Sequence, residues 1–342
     1  MKSLIHSKIG NEKLSPLFFS QSLKMVLCTL GIIAILVLAG ISMASTSTID
    51  VSQPVQVTTD GYYDRGQAVI YDGTNYYVFY GKSASCTDPY GTGAPDTHDY
   101  QIYYKKASTI SGLAGATETF LSTPKNADIY LGELSAVYSP SAGLLVYAAV
   151  DRDGASGGLG CDLYLFHSNN GGTSWGSFNY TSAGRTPVLP DGSAHHAVTM
   201  YNGNIWIAYH EGSGWNSTVS SSWATKHGIT TDSGTAKFYV EGSDLYFVRA
   251  QNNFISLHWY NTTSTAWEKV DSVAEPGAYD PTLYKIGSDY VCAYAPWDGT
   301  KQYVMAKVGT TTLDTLLSGG STVNITWGSY GTNVWADMWP TA

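Results

Sequence analysis

The 342-residue chain carries 18 Lys and Arg against 27 Asp and Glu, a formal charge of −9, and it combines 26 Tyr, 10 Trp and 36 Gly with only 13% charged residues. This is the composition of a folded protein, and its acidic balance argues against a nucleic-acid partner, because phosphate contacts need a basic face. No Gly-rich loop opening a helix and no Cys/His spacing of a zinc site occurs, which argues against phosphoryl transfer and zinc hydrolysis.

The first predicted element is an export segment. Met25 to Ala44 form an uncharged apolar run preceded by Lys2, Lys8, Lys13 and Lys24. The run is long enough to span a bilayer, and its cationic flank stays inside by the positive-inside rule. Ser42 and Ala44 occupy the small-residue positions of a signal-peptidase site, so one reading is a signal cleaved before Ser45. The other is an uncleaved anchor, since the lead is long. Either way the remainder is expected outside the cell, secreted or anchored by the N-terminal helix, with no other membrane contact. Without residues 1–44 the balance is 14 basic against 26 acidic, or −12. The organisation read from this is 1–44 lead and signal or anchor, 45–52 a linker, and 53–342 one folded domain.

After the linker no sustained 3.6-residue apolar period appears, whereas short Tyr-, Val- and Ile-rich strands recur. Five hairpins share one shape: AVIYDGTNYYVFY from Ala68, AVYSPSAGLLVYAAV from Ala136, AVTMYNGNIWIAYH from Ala197, KFYVEGSDLYFVRA from Lys237 and TLYKIGSDYVCAY from Thr282. Each has a tight turn in which Gly, Asn, Asp or Ser supplies the backbone freedom that short loops need. They begin about 40 to 70 residues apart, each followed by weaker strands such as YQIYYKKAS or DLYLFHS. Self-similarity at that period reads as blades, and a four-stranded sheet that cannot cover both faces is completed by stacking around an axis. The predicted fold is therefore all-β, a five-bladed β-propeller; a β-sandwich is the alternative, but it would not need one hairpin five times. Cys86 and Cys161 sit in Gly-rich loops where oxidation would allow pairing, and Cys292 lies in a strand as a buried small side chain. Sequons stand at Asn179, Asn216, Asn261 and Asn324.

Ser168, Asn170, Gly172, Ser174 and Trp175 resemble the Asp-box of sialidase-type propellers, with Asn in place of Asp and Ser in place of Thr, and Tyr260 to Trp267 looks like a decayed copy. The physical role of such a segment is a self-bonded turn whose Trp packs between sheets.

Innermost strands line the axial funnel of a propeller, so the residues just before each first strand are the candidate site. Here they are Asp64, Arg65 and Gln67, then Glu133, then His195 and His196, then Asp280 followed by Pro281. The arrangement resembles the five-bladed glycosidases of the arabinanase, xylosidase and invertase type, over most of residues 53 to 340. AYDPTLYKIGSDYVCAY is similar to their Asp-Pro strand opening and KKASTISGL to their third-strand ending. In that family the general base normally sits in the first blade, where Asp64 lacks the following Pro. The resemblance implies an extracellular glycoside hydrolase acting on a polysaccharide or oligosaccharide. It needs no organic cofactor, and a structural divalent cation in the central channel is left open.

Such chemistry asks for two carboxyls in different environments. Asp64 beside Arg65 stays ionised and is the expected base; Glu133 is the expected acid, with Glu211 in reserve; Asp280 orients or tunes the pair. Arg65, Gln67, His196, Glu211 and Trp297 are the expected substrate contacts, with at most one ring of the His195–His196 pair reaching the funnel. Two other functions compete. A sialidase-like exoglycosidase would grip a carboxylate through arginines, of which the chain has Arg65, Arg152, Arg185 and Arg249. A non-catalytic propeller would instead bind a glycan or a surface protein.

Overall fold

The computed structural model describes residues 6–7, 51–52, 57–58, 63–83, 101–122, 131–151, 161–179, 196–211, 214–251, 253–296, 304–309 and 312–325. The chain divides into two units, residues 1–6 with 53–342 and residues 7–52. The apolar run from Met25 to Ala44 lies outside the described residues, and among those described no helix is long and apolar enough to cross a membrane.

The described residues between Tyr63 and Asn324 form a five-bladed β-propeller. The first sheet holds β1 (Tyr63–Tyr71), β2 (Tyr76–Ser83), β3 (Gln101–Ala107) and β4 (Thr119–Ser122). The second holds β5 (Leu131–Ser139), β6 (Gly143–Asp151), β7 (Cys161–Ser168) and β8 (Gly176–Asn179). β9 (His196–Tyr201), β10 (Asn204–Glu211), β11 (Gly214–Val219) and β12 (Ser222–Thr230) make the third. β13 (Thr235–Glu241), β14 (Asp244–Gln251), β15 (Phe254–Asn261) and β16 (Ala266–Ala274) make the fourth. The fifth contains β17 (Ala278–Ile286), β18 (Asp289–Pro296), β19 (Met305–Gly309) and β20 (Ser321–Asn324). Every sheet is antiparallel with its strands in chain order, so each blade is one contiguous meander. The five sequence hairpins are the first two strands of the five blades. Two features went unforeseen: 3₁₀ turns at Ser111–Leu113 and Leu313–Thr315, the second running into a four-residue helix at Leu316–Gly319.

Local chemistry explains the hairpins. Between β9 and β10, Asn202 and Gly203 take φ of 49° and 72°, the two positive values that a two-residue turn matched to strand twist demands. Successive side chains of a strand point to opposite faces, and neighbouring sheets pack face to face from the first blade to the fifth. Tyr77, Phe79 and Tyr104 of the first blade meet Leu134, Val146 and Phe166 of the second. Val137, Tyr147 and Leu165 continue onto Ile207 and Tyr209. Trp206 and Trp215 pack on Phe247 and Trp267, and Val248, Ile255 and Leu257 on Leu283, Cys292 and Tyr294. Burying such side chains contributes about 1.5–3 kcal/mol each. Cys292 is fully buried, and that burial pushes its thiol up to about 12, as suits a packing residue. The side chains of Cys86 and Cys161 lie outside the described residues.

The turn from β7 to β8 ties itself together. Asn170 Oδ1 accepts the Ser168 hydroxyl at 2.9 Å and the Ser174 N–H at 3.0 Å, while Asn170 Nδ2 donates to Ser174 Oγ at 2.8 Å. Trp175 then stands edge-on to Phe79 and Tyr104, at 5.7 and 5.6 Å between centroids, wedged between the first two blades. Tyr104 Oη donates to Gly172 O at 2.8 Å and Lys106 Nζ to Gly171 O at 2.9 Å, so the turn also clasps its neighbour. At the corresponding turn of the fourth blade, Asn261 Oδ1 accepts the N–H groups of Thr263 and Ser264, and Trp267 Nε1 donates to Ser217 Oγ at 2.9 Å.

Candidate functional site

The innermost strands β1, β5, β9, β13 and β17 surround an axial channel of about 260 Å³. Its described wall mixes aliphatic and aromatic side chains with the polar groups of Ser135, Thr199, Lys237, Thr282, Tyr138 and Tyr239, and it carries no carboxylate. Ser135 is 5% exposed and its hydroxyl has no protein partner. An amine and scattered hydroxyls are a poor donor set for a divalent cation, which takes six to eight oxygens, carboxylates among them, when it is calcium. The structural cation considered from the sequence therefore has no fitting ligands among the described lining residues. Nor do the described residues hold any group of three or more His, Cys, Asp or Glu placed to bind a metal ion.

Where these strands enter the channel, three of the five break register in the same way. Between β1 and β2 the pairing passes from Arg65–Gly81 to Ala68–Phe79, so Gly66 and Gln67 face one residue. Between β5 and β6 it passes from Leu131–Val150 to Leu134–Ala148, spanning Gly132 and Glu133. Between β17 and β18 it passes from Tyr279–Ala295 to Thr282–Ala293, spanning Asp280 and Pro281. These are β-bulges, which re-aim side chains and concentrate at rims and active sites. In the fourth blade β13 pairs with β14 without a break from Thr235 onward, and in the third the described pairing begins at His196.

Asp280 occupies the bulge position that is Gly66 and Gly132 in the first two blades. It takes φ of 50°, in the left-handed region, and it precedes a proline, which further restricts its backbone. Strain of this kind amounts to about 1–3 kcal/mol and persists only where the surroundings over-determine it. Its N–H donates to Thr235 Oγ1, on the adjacent blade, at 2.6 Å.

Thr235 stands at the end of a buttressed corner. Buried Arg249 donates through Nη2 to Asp232 Oδ2 at 2.7 Å, through Nη1 to Ser233 O at 2.9 Å and through Nε to Ser256 Oγ at 3.1 Å. Ser256 Oγ lies 3.1 Å from His258 Nε2. Burial first, then the Arg249 and Lys269 cations, pull His258 from 6.5 down to about 4, so the ring is neutral near pH 7. Burial also lowers Arg249, with the Asp232 carboxylate opposing.

The backbone positions of several sequence-predicted residues are described. Asp64 and Arg65 lie in β1 opposite Lys82 and Gly81. Gln67 and Glu133 sit in the first two bulges and Asp280 in the third. His196 opens β9 and is fully buried; Glu211 closes β10 opposite Gly214, which brings it to the same end of its sheet. The side chains of Asp64, Arg65, Gln67, Glu133 and Glu211, and all of His195 and Trp297, lie outside the described residues. Thr235 was not singled out from sequence. The signal for it was its offset, two residues before Lys237, matching Asp280 two residues before Thr282.

No protein-family model matches the chain, and no curated protein matches it. Among solved structures, Trypanosoma rangeli sialidase, with 2,3-difluorosialic acid bound as a covalent intermediate, is similar at TM-score 0.52 and 12% identity, over 74% of this chain and 46% of that one. The same sialidase with sialic acid matches at TM-score 0.50 and 12% identity, over 75% and 46%. RS223-β-xylosidase matches more loosely, at TM-score 0.46 and 9% identity over 78% and 96%. The chain thus spans about half the length of the sialidases it resembles. At such identities what is shared is the fold: this chain is a five-bladed β-propeller, similar in fold to part of a solved sialidase.

Proposed function

We propose that this protein is an extracellular glycoside hydrolase that cleaves an oligosaccharide or polysaccharide at the bulged mouth of its channel. The observation that carries the reading is the coincidence of three bulges, at Gly66–Gln67, Gly132–Glu133 and Asp280–Pro281, on the innermost strands of three blades. Three equivalent bulges, one with a strained Asp, are features that a purely structural rim does not need. A saccharide as ligand is supported by the fold, on which a sialidase is also built. Export is supported by the apolar run from Met25 to Ala44 behind its four lysines.

In this reading the Asp64 carboxylate draws a proton from water or attacks the anomeric carbon, and Glu133 protonates the departing oxygen. Asp280 orients the pair or tunes the acid. Arg65, Gln67, Glu211 and Trp297 bind the sugar, whereas His196, fully buried at the start of β9, does not reach it. No metal enters any step.

The test is a screen of the purified domain against a panel of plant and surface polysaccharides, with reducing ends as readout, followed by variants on whichever substrate is cleaved. Asp64→Asn, Glu133→Gln and Asp280→Asn are each expected to lower kcat/KM at least 100-fold with circular dichroism unchanged. Glycan binding without turnover in the wild type would replace this reading with a binding propeller. Full activity in all three variants would remove the carboxylates from the mechanism.

A further inference from the structure

We propose that Thr235 is a positioning residue, whose hydroxyl on the fourth blade holds the backbone of Asp280 on the fifth in its left-handed conformation. The proposal rests on Asp280 belonging to the site described above, and its first readout does not depend on that reading.

The argument begins with the backbone donors of the bulge. Where β17 skips register, Asp280 and Pro281 leave the ladder together. Proline has no N–H, so the bulge releases one donor, that of Asp280. A part-buried donor needs an acceptor, and this one lies between the paired rungs Tyr279–Ala295 and Thr282–Ala293. Thr235 Oγ1 takes it at 2.6 Å. The bond satisfies the freed N–H and also fixes the peptide plane before Asp280, which sets φ and hence the direction of Cβ. Without it, a non-glycine residue before proline relaxes toward extended backbone.

The acceptor comes from a rigid corner. Thr235 is 8% exposed and pairs with Ala250 at the first rung of β13–β14. Gly234 before it has φ of 121°, and a Cβ there would lie 2.2 Å from Ala250 O, so the chain passes too close for any side chain. Arg249 grips Ser233 O and the Asp232 carboxylate just upstream. Thr235 itself is β-branched and stiff at χ1. Four devices thus hold one hydroxyl in place, and Asp280 is the partner it meets across the blade boundary.

Amide hydrogen exchange of the intact domain gives the first test. In the wild type the Asp280 amide is expected to be protected like neighbouring ladder amides; exchange at the rate of an open loop would overturn the proposal. In Thr235→Val, which keeps the shape and removes the acceptor, that amide is expected to exchange at least tenfold faster, and Thr235→Ser is expected to restore protection. A crystal structure of Thr235→Val with φ of Asp280 unchanged, or unchanged exchange, would also overturn it. Turnover is the second readout. On a substrate cleaved by the wild type, Thr235→Val should lower kcat about tenfold with KM within threefold and shift one limb of the pH profile, and Thr235→Ser should recover both. If Asp280→Asn leaves turnover intact, the hydrolase mechanism loses that residue, while exchange still decides the positioning role.

Discussion

At the scale of single residues, Asp280 sets stability against function. Its backbone counterparts in the first two blades are Gly66 and Gly132, and glycine accepts φ of 50° without a Cβ penalty. Asp280→Gly is therefore expected to keep the fold. Its unfolding free energy should stay within about 1 kcal/mol of the wild type, because relief of strain offsets the added entropy of an unfolded glycine. The proposed activity should nevertheless be lost. Urea denaturation alongside the hydrolysis assay checks both halves, and a loss of several kcal/mol would mean the Asp280 side chain is structural. The Asp-Pro pair was legible in the sequence. Its strain was not, because φ is imposed by Thr235, 45 residues away in the chain.

Among the elements, the turn from Ser168 to Trp175 shows how local chemistry is read directly. Asn170 makes three hydrogen bonds to Ser168 and Ser174, all within four residues, so the sequence could announce a self-bonded turn with no knowledge of its neighbours. Asn170→Ala removes all three and is expected to lower stability by about 1–2 kcal/mol. Asn170→Asp keeps the accepting oxygen and lets the Ser174 hydroxyl become the donor, so it should stay within about 0.5 kcal/mol. Chemical denaturation of the two variants distinguishes these outcomes; equal losses would show that the turn is held by the clasp of Tyr104 and Lys106 instead. That clasp, joining residues 65 and 68 positions apart, could not be read from the turn itself.

For the whole molecule, stacking of the blades leaves an acid-sensitive histidine buried in the fourth. His258 is 3% exposed and held neutral, its pKa lowered to about 4 by burial and then by Arg249 and Lys269, with Asp232 opposing. An unfolded histidine takes up a proton near 6.5, so between that pH and about 4 the unfolded chain binds more protons. Stability therefore falls as the pH drops through this window, by about 3 kcal/mol from pH 7 to pH 4 on this account. Carboxylates titrate there too, which makes the comparison differential: His258→Gln should lose less stability than the wild type between pH 7 and pH 4. Parallel losses would mean that His258 is protonated in the folded state without penalty.

The repeated hairpin was legible because strand alternation and turn chemistry are local, and five copies at blade spacing admit few architectures. Sequence by itself therefore determined the all-β class and the five blades. Tertiary structure alone decided which register each innermost strand takes, that Thr235 meets Asp280 across a blade boundary, and that Arg249 is spent bracing a corner. Those outcomes depend on hydrogen bonds between residues remote in the chain, and a bulge exists only relative to the strand it is paired with.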